Sequence, residues 1–326
     1  MLHKSSYEFL TADDWDERIR EADYIASSCT LCPRQCRINR LTGNSGFCKA
    51  SACMLISSIF PHHGEEPPVS GTCGSGTVFF SCCTLRCCFC QNYQISHNAE
   101  GKPYSPHELA EAMIGLQNKG CHNINLVTAT HFLPWVLRAL KEAAGRGLTI
   151  PIVYNNGGYE LPDTLRLLHG IVDIYLPDMK YGTNEEAARY SQTQDYVEVN
   201  QRAVVEMFRQ VGPLRMDADG IAYRGMCIRH LVLPGNQAHS EKILEFLNTH
   251  FDPEDISLSL MAQYRPMFNA VRYEELSQPL CENDYSPIKK QFLDAGFCGY
   301  VQDIGQLDTT FCIDFSSRKN EALTGK

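Results

Sequence analysis

The sequence predicts an α/β fold organised on a parallel sheet of six strands, with a cysteine-rich extension ahead of it. Two features carry that prediction. Between residues 76 and 261 short apolar runs alternate with stretches of helical periodicity, the pattern of βαβ units. Directly after successive apolar runs the chain turns polar, as it does where strand ends build a site. A length of 326 residues suits one large barrel domain or two ordinary ones. The start of the alternation divides the chain into 1–75, a helix, cysteine knot and connector, and 76–326, the sheet domain.

The elements follow in order. Thr11 and Asp14 frame a capping box, and Trp15, Ile19, Ala22 and Ile25 repeat at helical spacing, so residues 12–27 should form an amphipathic helix packed on the body. Residues 62–76 are rich in Pro and Gly. They read as a turn into the first barrel strand, Val78–Phe80, in preference to a metal site built from His62, His63, Glu65 and Glu66. Helices at Ser105–Asn118, Leu133–Ala144, Pro162–Leu168, about 184–211 and Ser240–Thr249 then separate strands at Asn123–Val127, Ile150–Tyr154, Val172–Leu176, Cys227–Leu233 and Ile256–Met261. A last helix, Pro287–Ala295, and a strand-like Thr310–Phe315 should flank the open side. Six strands are fewer than the eight that close a barrel.

Composition narrows the partners. The net charge of −9, with Arg34, Arg37 and Arg40 as the sole basic cluster, argues against nucleic acid, which is bound through grouped cations. No apolar run is long enough to span a membrane and Met1–Lys4 does not open a secretory signal, so the cytoplasm is the expected compartment. Sixteen cysteines in such a chain point to metal rather than to disulfides.

Two groups of cysteines stand out. Cys29, Cys32, Cys36 and Cys48 are separated by two, three and eleven residues, with glycines to turn the longest loop. Four thiolates at that spacing suit zinc or an iron–sulfur cluster and leave no open position. Cys82, Cys83, Cys87, Cys88 and Cys90 crowd the loop after Val78–Phe80, and within them Cys83, Cys87 and Cys90 read C-x3-C-x2-C with Phe89 before the last thiol. Three thiolates can hold three irons of a [4Fe–4S] cluster and leave the fourth iron for an outside ligand. Cys82 and Cys88 fall outside the pattern, and either would supply a fourth thiolate if the cluster were a closed one. Scattered thiols such as Cys121, Cys227, Cys281, Cys298 and Cys312 suit buried small hydrophobes.

Polar residues after the strands complete the candidate site: Thr128 and Thr130 after the second, Asn155 and Asn156 after the third, Asp178 and Lys180 after the fourth, Pro234-Gly235-Asn236 after the fifth, Gln263 after the sixth. Hydroxyls and amides there can contact a ribose or an amino-acid carboxylate.

The C-x3-C-x2-C loop with its Phe resembles the signature of the radical S-adenosylmethionine superfamily. Together with Cys29-x-x-Cys32-Pro33-Arg34-x-Cys36, Gly74-Ser75-Gly76-Thr77, Cys90-Gln91-Asn92, Thr130-His131 and Asp178-Met179-Lys180, it is similar to the uncharacterised relatives of pyruvate formate-lyase activating enzyme, from about Cys29 to Pro266. The resemblance implies a (β/α)6 partial barrel and a [4Fe–4S] cluster on Cys83, Cys87 and Cys90. It implies S-adenosylmethionine at the open iron, with Asp178 and Lys180 beside it. Val127-Thr128-Ala129-Thr130 stands where many members carry Gly-Gly-Glu for the methionine amine, which makes Thr128 and Thr130 the substitutes. Cys82 stands where a Gly is common.

The implied activity is one-electron reductive cleavage of S-adenosylmethionine to a 5′-deoxyadenosyl radical that takes hydrogen from a substrate. A glycine of a partner glycyl-radical enzyme is one such substrate, and a peptide or small metabolite is another. The implied electron donor is a flavodoxin or ferredoxin. A reading of another class is a non-catalytic iron–sulfur or zinc protein that carries electrons or binds a partner. An electron carrier completes its cluster with four cysteines, so a loop short of a fourth favours the enzyme.

Overall fold

The computed structural model describes residues 3–306, 313 and 315. Its ten strands are β1 (Met54–His62), β2 (Ser75–Phe80), β3 (Lys102–Tyr104), β4 (Ile124–Val127), β5 (Ile152–Asn156), β6 (Ile174–Pro177), β7 (Arg215–Met216), β8 (Ala222–Leu231), β9 (Ser257–Met261) and β10 (Cys298–Val301). Nine of them form one path in the order β10-β9-β8-β6-β5-β4-β2-β1-β3, and β7 pairs with β8. From β2 to β10 every neighbour along the path is parallel. The sheet is open, ending at β10 and β3.

The central strands are short and apolar because helices cover them. β2, β4, β5 and β6 are buried at every residue, as in a sheet packed on both faces. Helix starts obey local chemistry. Thr11 with Asp14 and Ser105 with Glu108 close reciprocal capping boxes ahead of Ala12–Ser27 and Pro106–Asn118. The first of these helices lies on Leu133–Gly145, with Ala22 and Ala26 buried and Asp23 paired to Arg138 at its edge.

Six predicted strands are present, and the parallel set gains a seventh, β10. It went unread because Cys298-Gly299-Tyr300-Val301 is short and largely exposed. β1 also lacked a signal, since Ser57, Ser58 and Pro61 interrupt its apolar residues. It pairs antiparallel with β2 from Ile56↔Phe80 to His62↔Ser75, so the sheet runs across the line drawn between residues 75 and 76. The last helix spans Glu282–Asp294 with Pro287 inside it, not at its start. Tyr285, Ile288 and Phe292 are its buried stripe, and that stripe begins ahead of the proline. The expected strand Thr310–Phe315 lies, apart from residues 313 and 315, outside the described residues. Among the described residues no helix is long and apolar enough to cross a membrane.

Candidate active site

β2 delivers the second cysteine group to the C-terminal edge of the sheet. The chain turns there at Cys82, whose φ of 74° lies in the left-handed region that favours glycine. Cys83, Cys87 and Cys90 all line one cavity of about 1030 Å³. Each sulfur accepts hydrogen bonds: Cys83 from the Leu85 (3.4 Å) and Arg86 amides, Cys87 from Ser191 Oγ (2.9 Å), and Cys90 from Ser96 Oγ (3.1 Å) and the Asn92 amide. The thiols face one another closely enough to interact. Burial, then Cys87 and Cys83, pushes Cys90 up to about 12, and burial followed by Cys87 raises Cys83. Such a set opposes its own ionisation unless a cation joins it, which is the donor chemistry of a metal cluster.

Among the described residues no three His, Cys, Asp or Glu side chains meet at the spacing of one metal ion. A cluster asks less, because each thiolate binds a different iron. The residues present therefore fit a cluster better than a single zinc. Cys82 also lines the cavity, whereas Cys88 does not and its amide donates to the Tyr190 carbonyl (2.8 Å).

Beside the thiols lies a buried polar network. Arg229, from β8, donates through Nε to Asp178 (2.9 Å) and through Nη2 to Asn155 (2.6 Å), and pairs with Glu65 (3.5 Å). Asp178 also pairs with Lys180. Burial disfavours the Asp178 carboxylate, but Arg229 and Lys180 outweigh it and hold the group below the usual carboxylate range. Glu65 moves the other way, raised by burial that Arg229 and Asn125 offset only in part. Thr128 adds a strained contact, since a β-branched residue at φ 60° is an outlier that persists where its surroundings dictate it. Gly158 (φ 73°) makes the tight turn after β5, where a Cβ would meet the Asp178 carbonyl at 2.1 Å.

The structure sorts the sequence candidates. Thr128, Asn155, Asn156, Asp178 and Lys180 all line the cavity. Thr130 does not; its hydroxyl bonds Tyr154 (2.8 Å) and Glu160 (2.7 Å) inside the protein. The Asn156 side-chain Oδ1 accepts from the Gly158 amide (2.8 Å), so that residue shapes the turn. Asn155 and Asn156 end β5 instead of following it, because the strand sits two residues later than the apolar run suggests. Pro234-Gly235-Asn236 stands clear of the cavity, and Arg229 and Leu231 line it from β8 in its place. The reading of residues 62–76 as a plain turn needs the largest correction, since His62, His63, Glu65 and Glu66 all line the cavity. Arg229 did have a signal, being the one charge within the apolar run Met226–Leu233. Ser96 and Ser191 had none.

The N-terminal cysteines form a different environment. Arg40, buried, donates to Cys29 Sγ (3.4 and 3.3 Å), Cys48 Sγ (3.4 Å) and the Ala50 carbonyl (2.7 Å). Cys36 accepts from the Phe47 amide (3.4 Å), and a Cβ on Gly46 would fall 2.6 Å from its sulfur. Arg34 ties this knot to the other loop through the Thr84 carbonyl (3.1 Å). Cys82 lies at the seam: burial, then Cys48 and Cys83, pushes it up to about 12.

Known proteins place this geometry. A protein of Methanocaldococcus jannaschii, itself uncharacterised, is 31% identical over 291 residues, covering 87% of this chain and 78% of its own. A radical SAM methyltransferase from Sphaerobacter thermophilus superposes with a TM-score of 0.46 and 13% identity over 69% of this chain, which spans 65% of that structure's length. Methylornithine synthase gives 0.43 and 12% over 97% of this chain and 86% of its own. The model of the Radical SAM superfamily matches residues 77–247, from the strand that carries the cysteine loop to the helix after β8, and the chain belongs to that superfamily.

Proposed function

We propose that Cys83, Cys87 and Cys90 bind the [4Fe–4S] cluster that the superfamily implies, and that the adjoining cavity holds S-adenosylmethionine and the group from which hydrogen is taken. One observation carries this: three mutually facing thiols, each with its own hydrogen-bond donor, open on the same cavity as Thr128, Asn155, Asp178 and Lys180. When bound, the cluster and S-adenosylmethionine supply a one-electron reductive cleavage that yields methionine and a carbon-centred radical.

The chain's own residues position and shield. Lys180, kept charged by Asp178, offers a cation to a carboxylate, and Asn155 and Thr128 offer an amide and a hydroxyl to a ribose or an amine. Ser96 and Ser191 stabilise electron-rich sulfur. The buried walls exclude water, which a reactive radical requires.

The activase-like reading assigns the hydrogen to a glycine of a partner protein, and it draws its support from motif similarity and from an open sheet that leaves a side for an extended segment. A peptide or small metabolite fits the same cavity. A flavodoxin or ferredoxin is the proposed reductant. For Cys29, Cys32, Cys36 and Cys48 we propose a second metal site, and the guanidinium of Arg40 against two of its sulfurs supports an anionic centre of zinc or iron–sulfur type.

The test is anaerobic reconstitution with iron and sulfide, then dithionite and S-adenosylmethionine. The account expects 5′-deoxyadenosine above a no-enzyme blank; none from fully loaded protein would overturn it.

A further inference from the structure

Glu66 carries a need that the protein does not meet. The residue is 8% exposed and lines the cavity, yet its Oε2 has no hydrogen-bond partner. Its hydrogen bonds are to Ser259 on β9 and to its own backbone, and Arg229 is the cation whose charge acts on it. Arg229 acts on it through space only, for the hydrogen bonds of its guanidinium go to others: Nε and Nη2 to Asp178, Nη2 to Asn155, Nη1 to Glu65. Glu65 next door adds a like charge. Among the described residues four acids besides the protonated Glu160 line the cavity, Glu65, Glu66, Asp178 and Asp303, against two cations, Lys180 and Arg229. Burial raises the Glu66 carboxyl, and a bound cation would reverse that effect where a water would only satisfy the orphan oxygen.

Position separates Glu66 from the groups assigned to S-adenosylmethionine. Thr128, Asn155 and Asp178 come from the ends of β4, β5 and β6. Glu66 contacts Ser259 and acts on Cys227 and Tyr300, on β9, β8 and β10. Pro67, with its fixed φ, follows directly and begins a helical turn in which Pro68, Val69 and Ser70 are buried, so the backbone that carries Glu66 is fixed. A carboxyl so fixed and buried, with one oxygen that receives no hydrogen bond, selects a ligand that brings both a donor and a positive charge.

We propose that Glu66 receives a protonated nitrogen of the substrate, a primary ammonium or a guanidinium, on the β8–β10 side of the cavity. The inference rests on the reading of that cavity as the substrate chamber. A lysine-like or arginine-like side chain of a peptide and a free aliphatic amine share this chemistry.

Isothermal calorimetry on the anaerobic, cluster-loaded full chain tests it with butylguanidine, butylamine and butanol as probes. The wild type should bind at least one charged probe about tenfold or more tighter than butanol, and Glu66→Gln should erase that preference without changing affinity for S-adenosylmethionine. Equal binding of charged and neutral probes would overturn the proposal, as would a preference that survives in Glu66→Gln. Equal loss of S-adenosylmethionine and probe binding would also overturn it by giving the carboxylate to the cofactor. Glu66→Asp keeps the charge and withdraws it by one methylene, so it guards against misfolding of the first variant. It should weaken the charged probes alone, and a matching loss for butanol would contradict the proposal. 5′-Deoxyadenosine measured in parallel reports on the radical reading independently: its absence with an intact charge preference breaks that reading and supports this one. Its presence without a charge preference does the reverse.

Discussion

Two groups of cysteines lie against each other in this protein and face opposite environments. The N-terminal sulfurs of Cys29 and Cys48 turn inward onto the buried guanidinium of Arg40. Those of Cys83, Cys87 and Cys90 receive only uncharged donors, hydroxyls and backbone amides, and open on a cavity of about 1030 Å³. A thiolate set enclosed with its counter-cation suits a closed centre, and a set beside a ligand-sized cavity suits a centre with an open position. Cysteine spacing alone suggested this distinction; the surroundings give it a physical basis.

The largest effect should come from separating the groups by mutation. Cys87→Ala is expected to abolish 5′-deoxyadenosine formation and remove most of the iron bound at the loop, while Cys29→Ala/Cys32→Ala retains measurable cleavage. Metal analysis and product assay of both variants decide it, and identical phenotypes would erase the distinction. Next, Arg40→Met should destabilise the fold by about 3–5 kcal/mol, the cost of leaving buried charge without its partner. A denaturation midpoint unchanged from wild type would mean that the sulfurs beside Arg40 carry no charge.

A subtler change is expected at Ser191, whose hydroxyl donates to Cys87. Removing a donor to cluster sulfur disfavours the reduced state, so Ser191→Ala should keep its iron and shift to a more negative potential. A redox titration monitored by spectroscopy reads the sign, and an unchanged or more positive potential would dissociate Ser191 from the cluster.

Glu160 sits at the seam, lining the cavity and acting on Cys32. Burial, tempered by the Thr130 hydroxyl, lifts its carboxyl to about 8 from the ordinary 4.5. Between those values the unfolded chain is ionised while the folded protein keeps the proton, so rising pH costs stability across that window. Glu160→Gln cannot ionise and should gain on the wild type from about pH 4.5 to about pH 8. Parallel melts at several pH values test this, and a gap that does not widen would contradict it.

How much of this was legible in the sequence follows from the range of the contacts involved. The capping box at Thr11, the strand-helix alternation and the C-x3-C-x2-C loop are local patterns, and the structure carries each of them, with β5 two residues later than its apolar run. Thr130 parts from Thr128 because β4 has already ended at Val127: Thr128 takes a left-handed conformation and Thr130 opens a 3-10 turn, a backbone change that composition does not show. Glu65 and Glu66 were passed over because Pro and Gly around them look like an ordinary turn. The pairing of β1 with β2, in which His62 stands opposite Ser75, carries the chain to the start of β2, and from there Glu65 reaches Arg229, a residue far along the chain. Ser191 reaches Cys87 across a similar separation. Long-range pairs of this kind leave no periodic trace.

The central claim, that the loop cluster has an open position and the N-terminal group does not, is most directly tested by electron paramagnetic resonance of the dithionite-reduced Cys29→Ala/Cys32→Ala protein, with and without S-adenosylmethionine. The account predicts a cluster signal whose line shape changes when S-adenosylmethionine is added. A signal indifferent to S-adenosylmethionine, in protein shown to retain a full loop cluster, would contradict it.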